Sequence, residues 1–465
     1  MHRKVIVIGG GPAGLAATHR LMELAPELEV ELYEASDRLG GLLQTTVEDG
    51  FVIERGPEAF LRDKPAALEL ASRLGLLSRI IGTEEARSGA LIAVRGELRP
   101  IPRGFSLIAP ADPTALFESR ILSKAAAARV LMERLALPLA AEDVSVGELV
   151  RSRLGEELLD RLAQPIVSGI YGGDAYRISV RASIPRFYEL AKTGSLIHGL
   201  QRTAQSADAD AKGARYSLFM SFDEGMEVLP KALASRIGER ATLGRKVEAI
   251  ERHGRSFAIS VGGSERRLAD AVILAIPGAR AARLLQPLDR IAASQLAAVE
   301  HGSAAAVTLI FRKDRIPELG RFGFVVPAIE GRPILAATYS SAKWKHRAPE
   351  GYEIVRAFLG GPRFSRLHEL DDASLITIAR REIRELAKID VAPERTYVDR
   401  YPCSMPRYAP FHLRRVAAIK ARLRELPGLY VVGTALDGVG VPDAIRRGEE
   451  AAFSVLTTLL PDRFS

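Results

Sequence analysis

The sequence is short of the residues that build disulfides, metal sites and membrane spans. Its single cysteine, Cys403, cannot form a disulfide within the chain, which favours a reducing, cytoplasmic compartment. The eight histidines are scattered and show no paired His/Cys spacing, so no metal site is predicted. No apolar run reaches about 18 residues, so no membrane-spanning helix is predicted. The N-terminus lacks a charged and apolar leader, and secretion is not expected.

The charge of the chain is +8, from 65 Lys+Arg against 57 Asp+Glu. Such a balance could favour an anionic substrate or a membrane surface, but a basic, Arg-rich proteome is the preferred explanation. The basic residues are spread along the chain, so nucleic-acid binding is not indicated. With 465 residues, 47% hydrophobic and 26% charged, the chain has the composition of a globular protein of two or three domains.

The chain opens with a strand–helix–strand pattern. Lys4–Ile8 is a short apolar run typical of a strand, Pro12–Leu24 is typical of a helix, and 29–34 alternates as a second strand. Parallel strands need such a crossover connection. Near the other end, 429–433 predicts a buried strand and 442–460 a long helix, so we expect the C-terminal segment to return to the first domain. Further strands are predicted at 50–56, 245–250, 256–261, 271–275, 306–311 and 352–359, and helices within 113–154, at 221–236 and at 373–386.

A glycine-rich turn joins the first strand to the first helix, with the sequence Gly9-Gly10-Gly11-Pro12-Ala13-Gly14. In this pattern the first glycine permits a tight turn, the second lets the backbone approach a pyrophosphate, and the third lets the helix pack on the strand. The helix N-terminus offers N–H groups and a positive dipole to the phosphates. Glu34 ends the second strand, where an acid accepts from a ribose hydroxyl. The motif predicts dinucleotide binding.

Two further glycine clusters favour FAD over NAD. Arg38 with Gly40 and Gly41 follows Glu34 and is similar to the E-x-x-x-R-x-G-G extension of FAD oxidases. Gly433 ends the late strand, and Gly438-Val439-Gly440-Val441 leads into the last long helix, whose end can face the flavin. The alternative for each cluster is a plain turn or loop.

At these residues the sequence resembles the flavin monoamine oxidase and protoporphyrinogen oxidase superfamily, over nearly the whole chain. More narrowly, it resembles the oxygen-dependent porphyrinogen oxidases of haem biosynthesis. The segments that carry the resemblance are 54–61, 98–104, 438–448 and, most specifically, 165–174.

The resemblance implies an FAD cofactor and a set of residues that contact it. They are Gly9, Gly10, Gly11, Pro12, Ala13, Gly14, Glu34, Ala35, Arg38, Gly41, Leu42, Gly56, Pro57, Glu58, Ala59, Val247, Gly433, Val439, Gly440 and Val441. Val247 lies in a strand motif that touches the adenosine part in the family, and its alternative role is that of a core valine.

Two departures from the family pattern bear on the substrate. Animal and plant protoporphyrinogen oxidases usually carry an arginine where this chain has Glu58, so it looks closer to the soluble bacterial branch that oxidises coproporphyrinogen III. Leu413 replaces an aromatic flavin neighbour of some relatives.

The implied reaction removes six electrons in three hydride transfers to flavin and yields coproporphyrin III, while three molecules of oxygen are reduced to three of hydrogen peroxide. The alternative substrate is protoporphyrinogen IX.

The substrate pocket is expected to be apolar and planar, with cations at its rim. Gly169 can let the macrocycle approach the backbone, or it is a simple turn glycine. Tyr171 lines the macrocycle or packs in the core. Arg95, Arg99 and Arg103 are carboxylate partners or solvated surface residues. No catalytic residue is assigned.

The expected fold class is α/β: a Rossmann-like FAD-binding domain with a mixed-sheet substrate domain and a helical insertion domain. The boundaries are 1–90, 215–270 and 425–465 for the FAD-binding domain, 91–200 for the helical domain and 271–424 for the substrate-binding domain. The expected partners are a porphyrinogen, molecular oxygen and a ferrochelatase that receives the product, with at most peripheral membrane contact through 113–145. Competing functions are a flavin amine oxidase, a carotenoid desaturase and a non-catalytic porphyrin carrier.

Overall fold

A computed structural model describes residues 3–210, 219–263 and 265–464. The strands are β1 (Lys4–Ile8), β2 (Glu29–Tyr33), β3 (Thr45–Glu48), β4 (Phe51–Glu54), β5 (Phe60–Leu61), β6 (Ile80–Gly82), β7 (Leu91–Val94), β8 (Glu97–Pro100), β9 (Phe105–Ser106), β10 (Ala109–Pro110), β11 (Phe219–Phe222), β12 (Ala241–Thr242), β13 (Val247–His253), β14 (Ser256–Val261), β15 (Glu265–Ala269), β16 (Ala271–Leu274), β17 (His301–Arg312), β18 (Gly323–Val325), β19 (Ile334–Tyr339), β20 (Tyr352–Gly360), β21 (Arg395–Pro406) and β22 (Leu429–Val431).

The α-helices follow in the same chain order. They are α1 (Pro12–Leu24), α2 (Ala66–Arg73), α3 (Ala115–Ser119), α4 (Lys124–Leu131), α5 (Val146–Leu154), α6 (Glu156–Leu158), α7 (Gln164–Tyr171), α8 (Val180–Ser183), α9 (Pro185–Thr193), α10 (Leu196–Asp210), α11 (Val228–Ile237), α12 (Gly278–Leu285), α13 (Arg290–Ala297), α14 (Ser340–Lys343), α15 (Asp372–Ala387), α16 (His412–Arg424), α17 (Val441–Leu459) and α18 (Pro461–Phe464).

The chain divides into two compact units, each assembled from separate segments. The first unit comprises Met1–Gly82, Leu218–Glu300 and Leu413–Ser465, and the second comprises Thr83–Ser217 and His301–His412. Because the first unit takes in both ends of the described chain, β22 and α17 lie with β1 and α1. This agrees with the expected return of the C-terminal segment.

A parallel sheet with the strand order β12-β2-β1-β16-β22 forms the centre of the first unit. In the central strand β1, Val5 to Ile8 are at most 4% exposed, because both faces of the sheet are covered. Val5 and Val7 face a core that contains residues of α1, α2, α11 and α17. Ile6 and Ile8 face a second core with residues of β13–β15, α12, α13 and α16. Each such buried aliphatic side chain contributes about 1.5–3 kcal/mol to stability.

The second unit contains a mixed sheet with the strand order β21-β17-β20-β19-β18-β7-β8. Its neighbours are antiparallel except for β18 and β7, which are parallel. Val307, Val355 and other alternate residues of the sheet pack against α15 through Leu375 and Ile383. The helices between β10 and α10 enclose a separate apolar cluster that also takes in Ile92 of β7. The helical segment therefore has its own core within this unit.

The predicted fold class is confirmed: a parallel Rossmann-like sheet, a mixed sheet and a helical segment are all present. The boundaries differ, because β16 pairs with β1 and β22 in the first unit, whereas the sequence analysis assigned 271 onward to the substrate-binding domain. The helix expected at 221–236 is wrong in its first half, since β11 pairs with β5 and β6 and α11 begins only at Val228. No helix among the described residues is long and apolar enough to cross a membrane.

Candidate functional site

The turn between β1 and α1 is so tight that two of its motif glycines have no room for a side chain. Gly9 has φ +107°, and a Cβ atom there would lie 2.4 Å from the carbonyl oxygen of Ala275. A Cβ atom on Gly14 would lie 1.9 Å from the carbonyl oxygen of Gly9. The N–H of Gly9 donates to the carbonyl oxygen of Tyr33 at 2.8 Å. The first and third glycines thus hold the turn and the helix against the neighbouring strands.

Gly11 has different surroundings, because a Cβ atom built there would meet no atom within 4 Å. It is the residue before α1, whose first turn carries no acidic side chain. The N–H of Leu15 donates to the carbonyl oxygen of Gly11 at 2.9 Å, which begins the hydrogen bonding of the helix. The N–H groups of Ala13 and Gly14 come before Leu15 and therefore have no acceptor within the helix. Open space before a helix N-terminus suits an anion such as a pyrophosphate.

The carboxylate of Glu34 is held beside this turn by three hydrogen bonds. It accepts from the N–H of Gly10 at 2.7 Å and from both the N–H and the Oγ of Ser36 at 2.8 Å. The preceding residue, Tyr33, donates its hydroxyl to Glu31 at 2.8 Å. Burial and this hydrogen bond raise the pKa of Tyr33 to about 12. The end of β2 therefore presents a fixed acid next to the glycine-rich turn, as the motif predicts.

Arg38 braces the loop that follows β2. Its guanidinium donates to the carbonyl oxygens of Leu39 at 3.1 Å, Leu43 at 3.3 Å and Gly41. The N–H of Gly40 donates to the carbonyl oxygen of Gly10 at 2.8 Å, so the loop lies on the glycine-rich turn. The Arg-Gly-Gly extension therefore shapes the wall of the site through its backbone.

The segment Gly56, Pro57, Glu58 and Ala59 follows β4 after a single residue, Arg55. A Cβ atom on Gly56 would lie 1.7 Å from the carbonyl oxygen of Leu42, so only glycine allows these two loops to meet. The side chain of Leu42 itself is 50% exposed. Ala35, two residues after β2, is also exposed.

Val247 is close in the chain to a segment that hydrogen-bonds to the backbone of Glu34. The N–H of Arg245 donates to the carbonyl oxygen of Glu34 at 2.9 Å, and the N–H of Glu34 donates to that of Thr242 at 3.0 Å. The side chain of Val247 is buried in the core beneath the sheet. Any contact of Val247 with a ligand would therefore have to come from its backbone or from the edge of its side chain.

The second glycine-rich turn connects β22 with α17 in the same unit. Gly433 has φ +129° and Gly438 has φ +74°, and Gly440 is the residue before the helix. Val439 is half-buried and Val441 is buried. This turn presents a second helix N-terminus to the site, which the sequence analysis expected at these residues.

The structure gives a role near this turn to three residues that the sequence analysis did not assign to the cofactor site: Lys64, Asp443 and Gly448. Asp443 accepts from Lys64 Nζ at 2.5 Å and from the N–H of Gly440 at 3.3 Å. A Cβ atom on Gly448 would lie 2.1 Å from the carbonyl oxygen of Ala13, so α17 packs on α1 without a side chain between them. An acid at the third position of a helix is a capping signal that could have identified Asp443. The Lys64 contact spans 379 positions and carries no local signal.

Gly169 lies in the last turn of α7, in the second unit, and is exposed. A Cβ atom there would meet only Val325 Cγ1, at 3.9 Å, so protein packing does not require glycine at this position. The N–H of Gly172 donates to the carbonyl oxygen of Ser168 at 2.8 Å. Gly169 is the residue after Ser168, and its carbonyl oxygen lies in the last turn of the helix, where carbonyl groups lack a donor within the helix. Gly169 thus offers both space and an acceptor.

Two of the other predicted substrate groups, Tyr171 and Arg99, are engaged within the second unit, whereas Arg95 and Arg103 are exposed. The hydroxyl of Tyr171 donates to the carbonyl oxygen of Ser183 at 2.8 Å, and its ring packs against the helical core. Arg99 donates to the carbonyl oxygen of Arg120 at 3.0 Å and to Glu97 at 3.2 Å. Tyr171 is half-buried, so only the exposed part of its side chain can contact a ligand.

Comparison with known proteins supports the flavin assignment. The family model of flavin-containing amine oxidoreductases matches residues 12–456. The coproporphyrinogen III oxidase of Bacillus subtilis is 32% identical over 98% of both chains. That of Staphylococcus aureus is 30% identical over 99% of this chain and 100% of its own. A chloroplastic protoporphyrinogen oxidase of Nicotiana tabacum is 26% identical over 97% of this chain and 85% of its own.

Solved structures give the same architecture. A protein from Exiguobacterium sp. 255-15, assigned as a protoporphyrinogen oxidase, is 30% identical, with a TM-score of 0.88 over 98% of this chain and 99% of its own. A putrescine oxidase variant shares the fold alone, with a TM-score of 0.69 at 19% identity over 98% of this chain and 99% of its own. The chain therefore belongs to the family of flavin-containing amine oxidoreductases and binds a flavin cofactor.

Proposed function

We propose that this protein oxidises coproporphyrinogen III to coproporphyrin III with bound FAD, using three molecules of oxygen and releasing three of hydrogen peroxide. The observation that carries the proposal is the pairing of two glycine-bearing helix N-termini in one unit, in a chain whose full-length relatives include coproporphyrinogen III oxidases. FAD, when bound, accepts two electrons at each step and passes them to oxygen.

The residues present fit this cofactor. The space at Gly11 and the amides at the start of α1 would hold the pyrophosphate, and the carboxylate of Glu34 would accept from a ribose hydroxyl. The residues around Val247 would lie against the adenosine part. Val439 to Val441, at the N-terminus of α17, would contact the flavin part and favour negative charge there.

The remaining family contacts would line the same cofactor. The loop braced by Arg38 and the segment from Gly56 to Ala59 form its walls, because their backbones pack on each other and on the glycine-rich turn. Pro57 and Glu58 are half-buried and complete this wall. Lys64 and Asp443 hold the second helix N-terminus in place.

Gly169 is proposed as the backbone contact of the macrocycle. Its carbonyl oxygen would accept a pyrrole N–H, and the absence of a side chain would let a flat ring approach. Tyr171 would support this contact from behind, since its hydroxyl ties α7 to the carbonyl oxygen of Ser183. These residues bind and orient the substrate, and no side chain is assigned a proton transfer.

The choice of coproporphyrinogen III rests on two observations. Glu58 stands where animal and plant protoporphyrinogen oxidases usually carry an arginine. The curated relatives at 30–32% identity include coproporphyrinogen III oxidases, whereas the chloroplastic protoporphyrinogen oxidases match at 26–28%. Protoporphyrinogen IX remains the second candidate, because those enzymes share the family and the fold.

The test is a comparison of kcat/KM for coproporphyrinogen III and protoporphyrinogen IX, by porphyrin fluorescence and peroxide release. We expect a preference of at least about tenfold for the tetracarboxylate, because each additional charge-assisted hydrogen bond contributes about 1.5–3 kcal/mol. A preference for protoporphyrinogen IX would overturn the substrate assignment. Tight porphyrin binding without turnover under air would instead indicate a carrier, and turnover of amines an amine oxidase.

We also propose a cytoplasmic enzyme that delivers coproporphyrin III to a ferrochelatase. The cytoplasmic location is supported by the single cysteine, which suits a reducing compartment. Delivery can be tested by adding a ferrochelatase that accepts coproporphyrin and measuring whether free porphyrin in solution decreases during turnover. An unchanged level of free porphyrin would argue against a direct transfer.

A further inference from the structure

A cavity of about 280 Å³ lies within the second unit, between the loop after α14 and the start of β20. None of the residues proposed for the cofactor or the porphyrinogen lines it. Its size is near the lower end of the range for small-molecule sites, about 300 Å³. The cavity can therefore take a small ligand but not a macrocycle.

Trp344, the only tryptophan of the chain, lines this cavity and carries a buried donor without a partner. The residue is 1% exposed, and its Nε1 has no hydrogen-bond partner among the described residues. An indole nitrogen only donates, and leaving a buried donor unpaired costs about 1–3 kcal/mol. A ligand that satisfies it must therefore present an acceptor.

The charges around the cavity favour an anionic acceptor. Its lining contains four Lys or Arg side chains and three carboxylates: Arg87, Lys313, Lys345, Arg347, Glu84, Glu350 and Glu353. Two of the carboxylates already have cationic neighbours, since Lys345 lies 3.3 Å from Glu84 and Arg87 lies 3.9 Å from Glu353. Lys313 makes no ion pair within the described part of the chain. Positive charge is thus available beside an unpaired N–H donor.

We propose that this cavity binds a small oxyanion, a phosphate or a carboxylate, whose oxygen accepts the indole N–H of Trp344. Lys313 and Lys345 supply the opposing charge from the rim. Oxyanions suit both features, because they accept several hydrogen bonds and carry negative charge. The site is separate from the proposed oxidation, and either proposal can fail without the other.

The single tryptophan makes the site directly observable in the flavin-loaded protein. Inorganic phosphate and citrate are titrated separately, with ionic strength held constant by sodium chloride, while tryptophan emission is recorded. We expect a saturable change in emission with at least one of the two anions, and the one that saturates identifies the ligand class. A change that sodium chloride reproduces, or no saturation with either anion, would overturn the proposal.

Two variants assign the binding to named groups. The double variant Lys313→Gln/Lys345→Gln should weaken binding at least about tenfold, whereas Lys124→Gln, an exposed lysine elsewhere in the same unit, should bind as the parent does. Trp344→Phe, followed by calorimetry, should lose binding by a similar factor while its circular dichroism stays parental. If Trp344→Phe does not fold, the lysine pair decides the question. Parental affinity in the double variant would contradict the proposal.

Discussion

Gly11 and Gly14 are three residues apart in the same turn, yet a side chain would have different effects at the two positions. At Gly14 it would overlap the backbone of Gly9, and at Gly11 it would project into open space. A motif glycine can thus be required by the fold or by a ligand. The two requirements can be separated by experiment.

Gly14→Ala should destabilise the protein even without flavin, by about 2–3 kcal/mol, because overpacking forces the backbone to shift. Gly11→Ala should leave the free energy of unfolding of the flavin-free protein within about 0.5 kcal/mol of the parent value. It should nevertheless reduce flavin retention at least about tenfold, since the new methyl group would occupy the proposed pyrophosphate space. Urea unfolding and the ratio of absorbance at about 450 and 280 nm measure the two effects. Equal effects at both positions would refute the distinction.

Tyr33 gives a prediction in alkaline solution. Its pKa is raised to about 12, by burial first and by the hydrogen bond to Glu31 second. Because the pKa of Tyr33 is higher in the folded state than in the unfolded state, its contribution to folding stability is fully present below the unfolded-state pKa, about 10. This contribution is lost as the pH rises through the folded-state pKa. Stability should therefore fall between about pH 10 and pH 12. In Tyr33→Phe this part of the decline should be smaller, as followed by unfolding at each pH. An identical decline in both proteins would contradict the assignment.

Among the elements of the first unit, α1 and α17 pack directly against each other. Gly448 lies against the carbonyl oxygen of Ala13, so the two helices approach at their backbones. Since both helices begin at glycine-rich turns, their packing also sets the positions of the two helix N-termini. The geometry of the proposed cofactor site therefore depends on Gly448, which is not itself among the proposed cofactor contacts.

Gly448→Ala should separate the two helices and destabilise the protein by about 2–3 kcal/mol, with a loss of flavin affinity in the variant that still folds. Ser454→Ala, on an exposed part of the same helix, is the matched control and should change stability by less than about 0.5 kcal/mol. Thermal unfolding of the flavin-free and flavin-loaded proteins measures both effects. A parental flavin affinity in Gly448→Ala would show that the site tolerates a shift of α17.

The elements also show where sequence reasoning succeeds. The bounds of β1 and α1 were predicted as observed, because an apolar run and a proline after a glycine-rich turn are local signals. β11 was missed, since its strand character comes from pairing with β5 and β6, which are distant in sequence. For the same reason β16 was assigned to the wrong side of a boundary. The candidate cofactor residues came from motifs, whereas the Lys64–Asp443 contact and the cavity at Trp344 depend on chain folding.

At the scale of the whole molecule, each unit is built from separate chain segments. The first unit needs its last segment, because β22 extends the parallel sheet beside β16 and α17 covers it. The second unit is likewise joined from two segments. Neither unit can be obtained by cutting the chain once.

Truncation after residue 428 removes β22 and α17 and should lower flavin occupancy to less than about a tenth of the parent, because half of the proposed site is lost. Truncation after residue 460 removes only α18 and an exposed ion pair between Arg463 and Glu27. Such pairs contribute about 0–1 kcal/mol, so this control should keep its flavin. The flavin absorbance of the purified proteins measures the difference. Flavin retained by the shorter protein would refute the role of the second turn.

The position of α17 at residues 441 to 459 has a consequence for biosynthesis. At about 5–20 residues per second, the ribosome needs roughly 20–85 s to make the stretch of about 430 residues between the start of α1 and the start of α17. Throughout that interval the nascent chain carries its first glycine-rich turn without the second one. Both turns are part of the proposed cofactor site, so stable flavin binding requires that α17 has been synthesised and has packed on α1.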